Sequence, residues 1–228
     1  ALACYNAAIP YLCDELPPAQ KKALSYAAKA PLIYTNVLLR NWRAFANLGI
    51  YDVRCPGSYF ETVKLTEPVK IGAYQHARTP DEPIVLRLRR SPLDPHTRGL
   101  PAPDQWKAAR RTLLATTFET FERNIREQLD RILAPGGFDV ARDIEAITVN
   151  RWPHGYAYSY DTLDDPIEWA LFEADDRPCV IGRRRFGRVS IANSDAAATP
   201  HTDAAIDEGY RAAGEQLVVR SRSAGGAP

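Results

Sequence analysis

The sequence predicts an α+β protein, on three observations. Short apolar–polar alternations punctuated by Pro and Gly cluster between residues 50 and 96, as in an antiparallel, partly exposed sheet. Residues 104–133 carry apolar side chains at helical spacing. The 228 residues, 45% hydrophobic and 25% charged, have ordinary globular composition and suffice for one sizeable core or two modest domains.

The elements follow in order. Residues 3–30 read as helical pieces interrupted at Pro10; Pro17 and Pro18 fit a helix start, and residues 19–29 are rich in helix formers. Residues 33–39 mix β-branched and aromatic side chains as a strand does, and "WRAFANLG" is a short helix closed by Gly49. "YFETVKL", "VKIGAYQ" and "PIVLRLRRS" are strands, and "SPLDPHTRGLPAPDQ" is a loop dense in turn residues. One helix then spans 104–133, with Leu113, Leu114, Phe118, Phe121, Ile125, Leu129 and Ile132 on its apolar side; Gly136 and Gly137 stop it. "DIEAITVNRWP" is a strand ended by Pro153, and "CVIG" and "RVSIAN" are two more. "TPHTDAAIDEGYRAAGEQLVV" is a helix that Thr202 or Asp203 can cap, and residues 218–228 are a disordered tail.

A net charge of +1 exerts no long-range pull on nucleic acid or anionic membrane. The basic runs 87–90 and 183–185 read as solvated faces, with an anion site as the alternative. No apolar run reaches the roughly 20 residues needed to span a bilayer. The apolar start lacks a basic region and is interrupted by Asn6, Pro10 and Asp14, unlike a secretory signal. Cys4, Cys13, Cys55 and Cys179 form no C-x-x-C pair and read as small buried thiols rather than a zinc site; no disulfide can be assigned among them.

Two stretches carry chemistry. "ITVNRWPHGYAYSYD" crowds Trp152, His154, Tyr156, Tyr158 and Tyr160 around a Pro and a Gly, more rings than one buried strand face uses; a core segment and a ligand wall are the two readings. In "RVSIANSDAAATPHTDAAIDEGYRAAGEQL" a strand end leads through small residues to a helix start near His201. Such a junction lets a flat or phosphorylated ligand approach backbone N–H groups, or merely permits close packing.

"GRVSIANSD" with "TDAAIDEGYRAA" resembles the C-terminal, flavin-contacting segment of the flavin-dependent amine oxidase family, and "NRWPHGYAY" and "FETFERNIREQL" resemble its spermidine dehydrogenase-like branch. The resemblance covers residues 1–217. It implies the C-terminal part of a flavin amine oxidase fold: residues 1–30 continue an FAD-binding domain supplied largely by another chain, 31–178 form a substrate-binding domain, and 179–217 add the last strand and the flavin-contacting helix. The cofactor it implies is FAD. Asn193, Ser194 and Asp195 match the piece reaching the ribityl–phosphate portion; Thr202, Asp203 and Ala204 match the helix start facing the pyrimidine carbonyl, where a helix dipole favours the reduced flavin. Trp152, Tyr156 and Tyr158 match the substrate-side aromatic region, and His201 stands where many relatives carry a ring. The implied reaction is hydride transfer from an amine or polyamine C–H to flavin, giving an imine and then an aldehyde, with no acid–base residue required. Haem is implied as a second redox centre, although no c-type attachment motif occurs.

The family's G-x-G-x-x-G loop is absent from these residues, so the Rossmann Gly-loop half is missing and a second polypeptide is expected to supply it. Residues 32–39 and the segment around Val149 are candidates for that interface. A non-catalytic scaffold on a degenerate amine oxidase fold, and a flavin oxidoreductase for an alkaloid amine or amino acid, are the alternatives.

Overall fold

The structure, a computed structural model, describes residues 1–224, with side chains through Leu217. In chain order its elements are α1 (Ile9–Leu12), α2 (Pro18–Tyr26), β1 (Leu32–Leu39), α3 (Arg43–Leu48), β2 (Asp52–Arg54), β3 (Thr62–Leu65), β4 (Ile84–Arg90), α4 (Ala102–Ala115), α5 (Phe118–Leu133), α6 (Val140–Asp143), β5 (Ile144–Trp152), α7 (Ile167–Leu171), α8 (Pro178–Gly182), α9 (Ser194–Ala197) and α10 (Thr202–Ala224). They fall into two compact units: Ala1–Lys29, Gly99–Lys107 and Gly155 onward form the first, and Ala30–Arg98 with Ala108–His154 the second.

The second unit is a five-stranded antiparallel sheet, ordered β2-β3-β4-β1-β5. Alternation decides its faces. Ile33, Thr35, Val37 and Leu39 of β1 are buried, and Leu86 and Leu88 of β4 join the same core. Phe121, Ile125, Leu129 and Leu133 complete it; they recur along α5 at the spacing of one helix face and are each at most 1% exposed. Each such side chain contributes about 1.5–3 kcal/mol by burial. Gln128, on the same face, exchanges two 2.8 Å hydrogen bonds with the Phe60 backbone, so its buried amide is satisfied.

Several expectations need correction. The helix expected at 104–133 is two helices. Thr117 accepts a hydrogen bond from the Thr120 N–H and caps α5, so the Thr116–Thr117 pair ends one helix and starts another. Leu114 and Phe118 flank this break and are exposed, which removes them from the core face. "VKIGAYQ" is no strand: Ile71 and Tyr74 close a tight turn about Gly72, at φ 58°. β2, only three residues long, was not anticipated; it exists through its pairing with β3. Residues 32–39 form β1 in the sheet interior, paired on both sides, and Val149 lies on the edge strand β5.

In the first unit, Ile9, Leu16 and Leu24 pack with Ile191 and Ala196. Pro10 does not break a helix but sits in the first turn of α1, where its missing N–H costs nothing. "CVIG" is helix α8 rather than a strand: Pro178 starts it, and Gln20 of α2 donates to the carbonyls of Gly182 (3.0 Å) and Arg184 (2.6 Å). Among the described residues "RVSIAN" makes only isolated bridges, Phe186 with Val189 and, in parallel, Leu2 with Ile191. Arg183 is no solvated face; it pairs with the buried Glu208 at 2.6 Å. Of the cysteines only Cys179 is buried, and all four are free thiols. α10 continues through Ala224 into the expected tail, whose residues 225–228 lie outside the described residues.

Gly136 ties α5 to α3 in the second unit. A Cβ there would lie 2.5 Å from the Ala44 carbonyl oxygen, so the two backbones approach too closely for any side chain. Gly136→Ala is expected to destabilise the protein by about 1–3 kcal/mol, read as a lowered urea midpoint.

Candidate functional site

The junction into α10 belongs to the first unit. Asn193 caps α9: its Oδ1 accepts from the Ala196 N–H (2.8 Å), while its Nδ2 donates to the Cys4 carbonyl (2.6 Å) and to Asn6 Oδ1 (2.9 Å). Asp195, 2% exposed, ion-pairs with Lys29 (Nζ–Oδ1 2.7 Å) and accepts from the Asn6 N–H (3.1 Å). Lys29 also lies over the Tyr5 ring, 4.8 Å from its centroid. The polar side-chain atoms of Asn193 and Asp195 are therefore engaged within the chain, and they fix the turn rather than project from it. Ala198 takes a left-handed conformation (φ 50°), after which Pro200 and His201 lead into α10.

The helix begins at Thr202, so Thr202 and Asp203 are first-turn residues rather than caps. The Ala205 N–H donates to the His201 carbonyl (3.2 Å), which leaves the N–H groups of Thr202, Asp203 and Ala204 without an intrahelical acceptor. His201, Thr202 and Asp203 are exposed and Ala204 and Ser194 half-buried. This end of a 23-residue helix presents donors and a positive dipole end, suited to a carbonyl or anionic edge.

The aromatic stretch divides. Trp152, at the end of edge strand β5 in the second unit, is 53% exposed. Tyr156, in the first unit, is 57% exposed, and His154 is exposed. Tyr158 turns inward and joins an aromatic cluster that sequence spacing did not reveal: Tyr26, Tyr158, Tyr160 and Trp169 meet at centroid distances of 5.6–6.4 Å, with Trp106 beside Tyr158. At its centre the buried Asp165 accepts from the hydroxyls of Tyr26 (2.5 Å) and Tyr158 (2.6 Å) and from the Asp161 N–H (2.9 Å). Among the described residues no group of His, Cys, Asp and Glu has the arrangement of a metal centre, and no helix is long and apolar enough to cross a membrane.

Two outcomes are expected from these clusters. Lys29→Met strands the Asp195 carboxylate in the interior and is expected to cost about 3 kcal/mol, read from chemical denaturation; retention of full stability would show that the pair does not hold the turn. The phenols of Tyr26, Tyr158 and Tyr160 are held above the ordinary range, chiefly by burial and, for the first two, by Asp165. Their folded pKa is raised, so their contribution to stability is complete below the unfolded pKa of about 10 and is lost as pH rises beyond it. Phenolate absorbance from these three is expected only with unfolding, and Tyr158→Phe should reduce the alkaline loss of stability.

No protein-family model matches the sequence, and no curated protein does. Solved structures do. A putrescine oxidase double mutant superimposes with a TM-score of 0.57 at 14% identity, over 95% of this chain and 42% of that one. The wild-type putrescine oxidase bound to putrescine gives 0.56 at 14% identity, again over 95% and 42%. Cyclohexylamine oxidase from Brevibacterium oxydans IH-35A gives 0.56 at 12% identity, over 96% and 42%. The fold is thus that of the C-terminal part of flavin amine oxidases, and the chain spans 42% of the length of these neighbours.

Proposed function

We propose that this chain forms the flavin-contacting and substrate-side part of an FAD-dependent amine or polyamine oxidoreductase. The observation that carries the reading is the likeness of 95% of the chain to amine oxidases, together with the open start of α10. Only 42% of those oxidases is matched, and no G-x-G-x-x-G occurs here; the dinucleotide-binding portion therefore comes from outside these residues, in our reading from a second polypeptide.

The residues present fit a flavin in one respect. The donors at Thr202, Asp203 and Ala204 can hold a carbonyl edge, and Ala196–Ala198 offer little bulk beside it. When bound, the flavin supplies the hydride acceptor that turns an amine into an imine, which water then hydrolyses. Asn193 and Asp195 act as positioning residues, because their internal bonds aim the turn between α9 and α10. Ser194 lies in the same first turn of α9. Trp152 and Tyr156 offer exposed rings that can wall an amine from water, and His201 stands beside the helix start as a further substrate-side contact. Tyr158, whose hydroxyl donates to Asp165, is in our reading a further ring of the substrate side.

The test uses the natively purified complex. It is expected to show the visible absorption of oxidised flavin, bleached without oxygen by an amine; a colourless complex overturns the reading. Trp152→Ala or Tyr156→Ala is expected to slow bleaching about 100-fold, since positioning at a reacting centre carries effects of that order. A non-catalytic scaffold would instead lose partner binding and show no turnover at the outset.

A further inference from the structure

The second face of the sheet, opposite the core, is ordered by register into rows. One row runs Thr148, Asn36, Arg87, Lys64 and Asp52 across five strands; the next runs Ala146, Leu38 and Val85. Thr148, Asn36 and Arg87 of the first row and all three residues of the second line a cavity of about 600 Å³. Leu38, Val69, Val85 and Ala146 belong to its apolar lining, and Asn36, Thr148, Arg87 and the carboxylate-bearing Glu67 to its polar lining. Arg87 also borders an adjoining depression of about 210 Å³ with Arg54, Lys64 and Arg89. Across the two, four cationic side chains face two carboxylates, Asp52 and Glu67.

Arg87 and Lys64 are direct cross-strand neighbours, and like charges so placed repel. Lys64 is relieved by an ion pair with Glu67 and by Asp52 at 3.8 Å. Arg87 is exposed, and among the described residues no carboxylate lies within ion-pair distance of it; Glu67, which also lines the cavity, attracts it from farther away. A guanidinium is the side chain that best matches a planar carboxylate, through paired hydrogen bonds.

We propose that this cavity binds a small molecule with an aliphatic body and a carboxylate, the body lying on Leu38, Val85 and Ala146 and the carboxylate on Arg87. The binding claim stands on the cavity alone.

The test measures binding to the full chain by NMR titration, with hexanoate, hexanamide, hexylamine and sulfate as probes. Hexanoate is expected to shift the resonances of Asn36, Arg87 and Thr148, and to bind at least about tenfold more tightly than hexanamide, the ratio that a hydrogen bond to a charged group confers. Arg87→Gln should abolish that preference, and Arg87→Lys should keep part of it. Because Arg87→Gln also removes a like-charge pair, its Tm should hold or rise, which separates lost binding from lost folding. Equal binding of hexanoate and hexylamine, equal binding of sulfate and hexanoate, or an unchanged preference in Arg87→Gln would each overturn the proposal. None of these readouts needs flavin, so a colourless complex would defeat the oxidoreductase reading and leave this one standing.

Discussion

The buried carboxylate of Asp195 is the constraint on which the candidate flavin site depends. A charge 2% exposed persists only if it is paired and hydrogen-bonded. Lys29 and the Asn6 N–H meet that requirement, and both come from the N-terminal segment, far away in sequence. Asn193 reaches the same segment through Cys4 and Asn6. The turn into α10 is thereby held by the N-terminal segment. The start of the helix remains open because its supports spend their polar atoms on the interior.

A comparable division governs the sheet of the second unit. Its strands alternate, so one face must be sealed, and α5 seals it with four apolar side chains in succession and one amide that satisfies the Phe60 backbone. The other face is free of that duty. There the register sets Arg87 beside Lys64, an arrangement with no packing benefit, above a cavity walled by aliphatic side chains. A sheet whose stability comes from one face can carry an unfavourable charge pattern on the other.

The aromatic stretch divides between a packed cluster and exposed rings. Tyr158 and Tyr160 belong to a packed cluster organised by Asp165, whereas Trp152 and Tyr156 keep half or more of their surface in water. Ring count along the chain does not separate these roles. The carboxylate that separates them lies several residues further on, and its second phenol, Tyr26, is more than a hundred residues away.

Sequence alone determined what depends on local periodicity and local caps. The alternation of β1, β4 and β5, the apolar face of α5, the Gly49 stop and the α+β class all follow from neighbours within a few residues. The resemblance to flavin amine oxidases also lay in the sequence and agrees with the fold of the solved structures. Tertiary structure decided the rest. α8 is tied at its end by Gln20, which donates to the carbonyls of Gly182 and Arg184, and among the described residues "RVSIAN" makes only isolated bridges. Asp195 is a support because Lys29 reaches it, and register places the exposed Arg87 across from Lys64 in the lining of a cavity. Each of these depends on which distant group arrives to satisfy a charge or a backbone atom, and that is fixed only when the whole chain has packed.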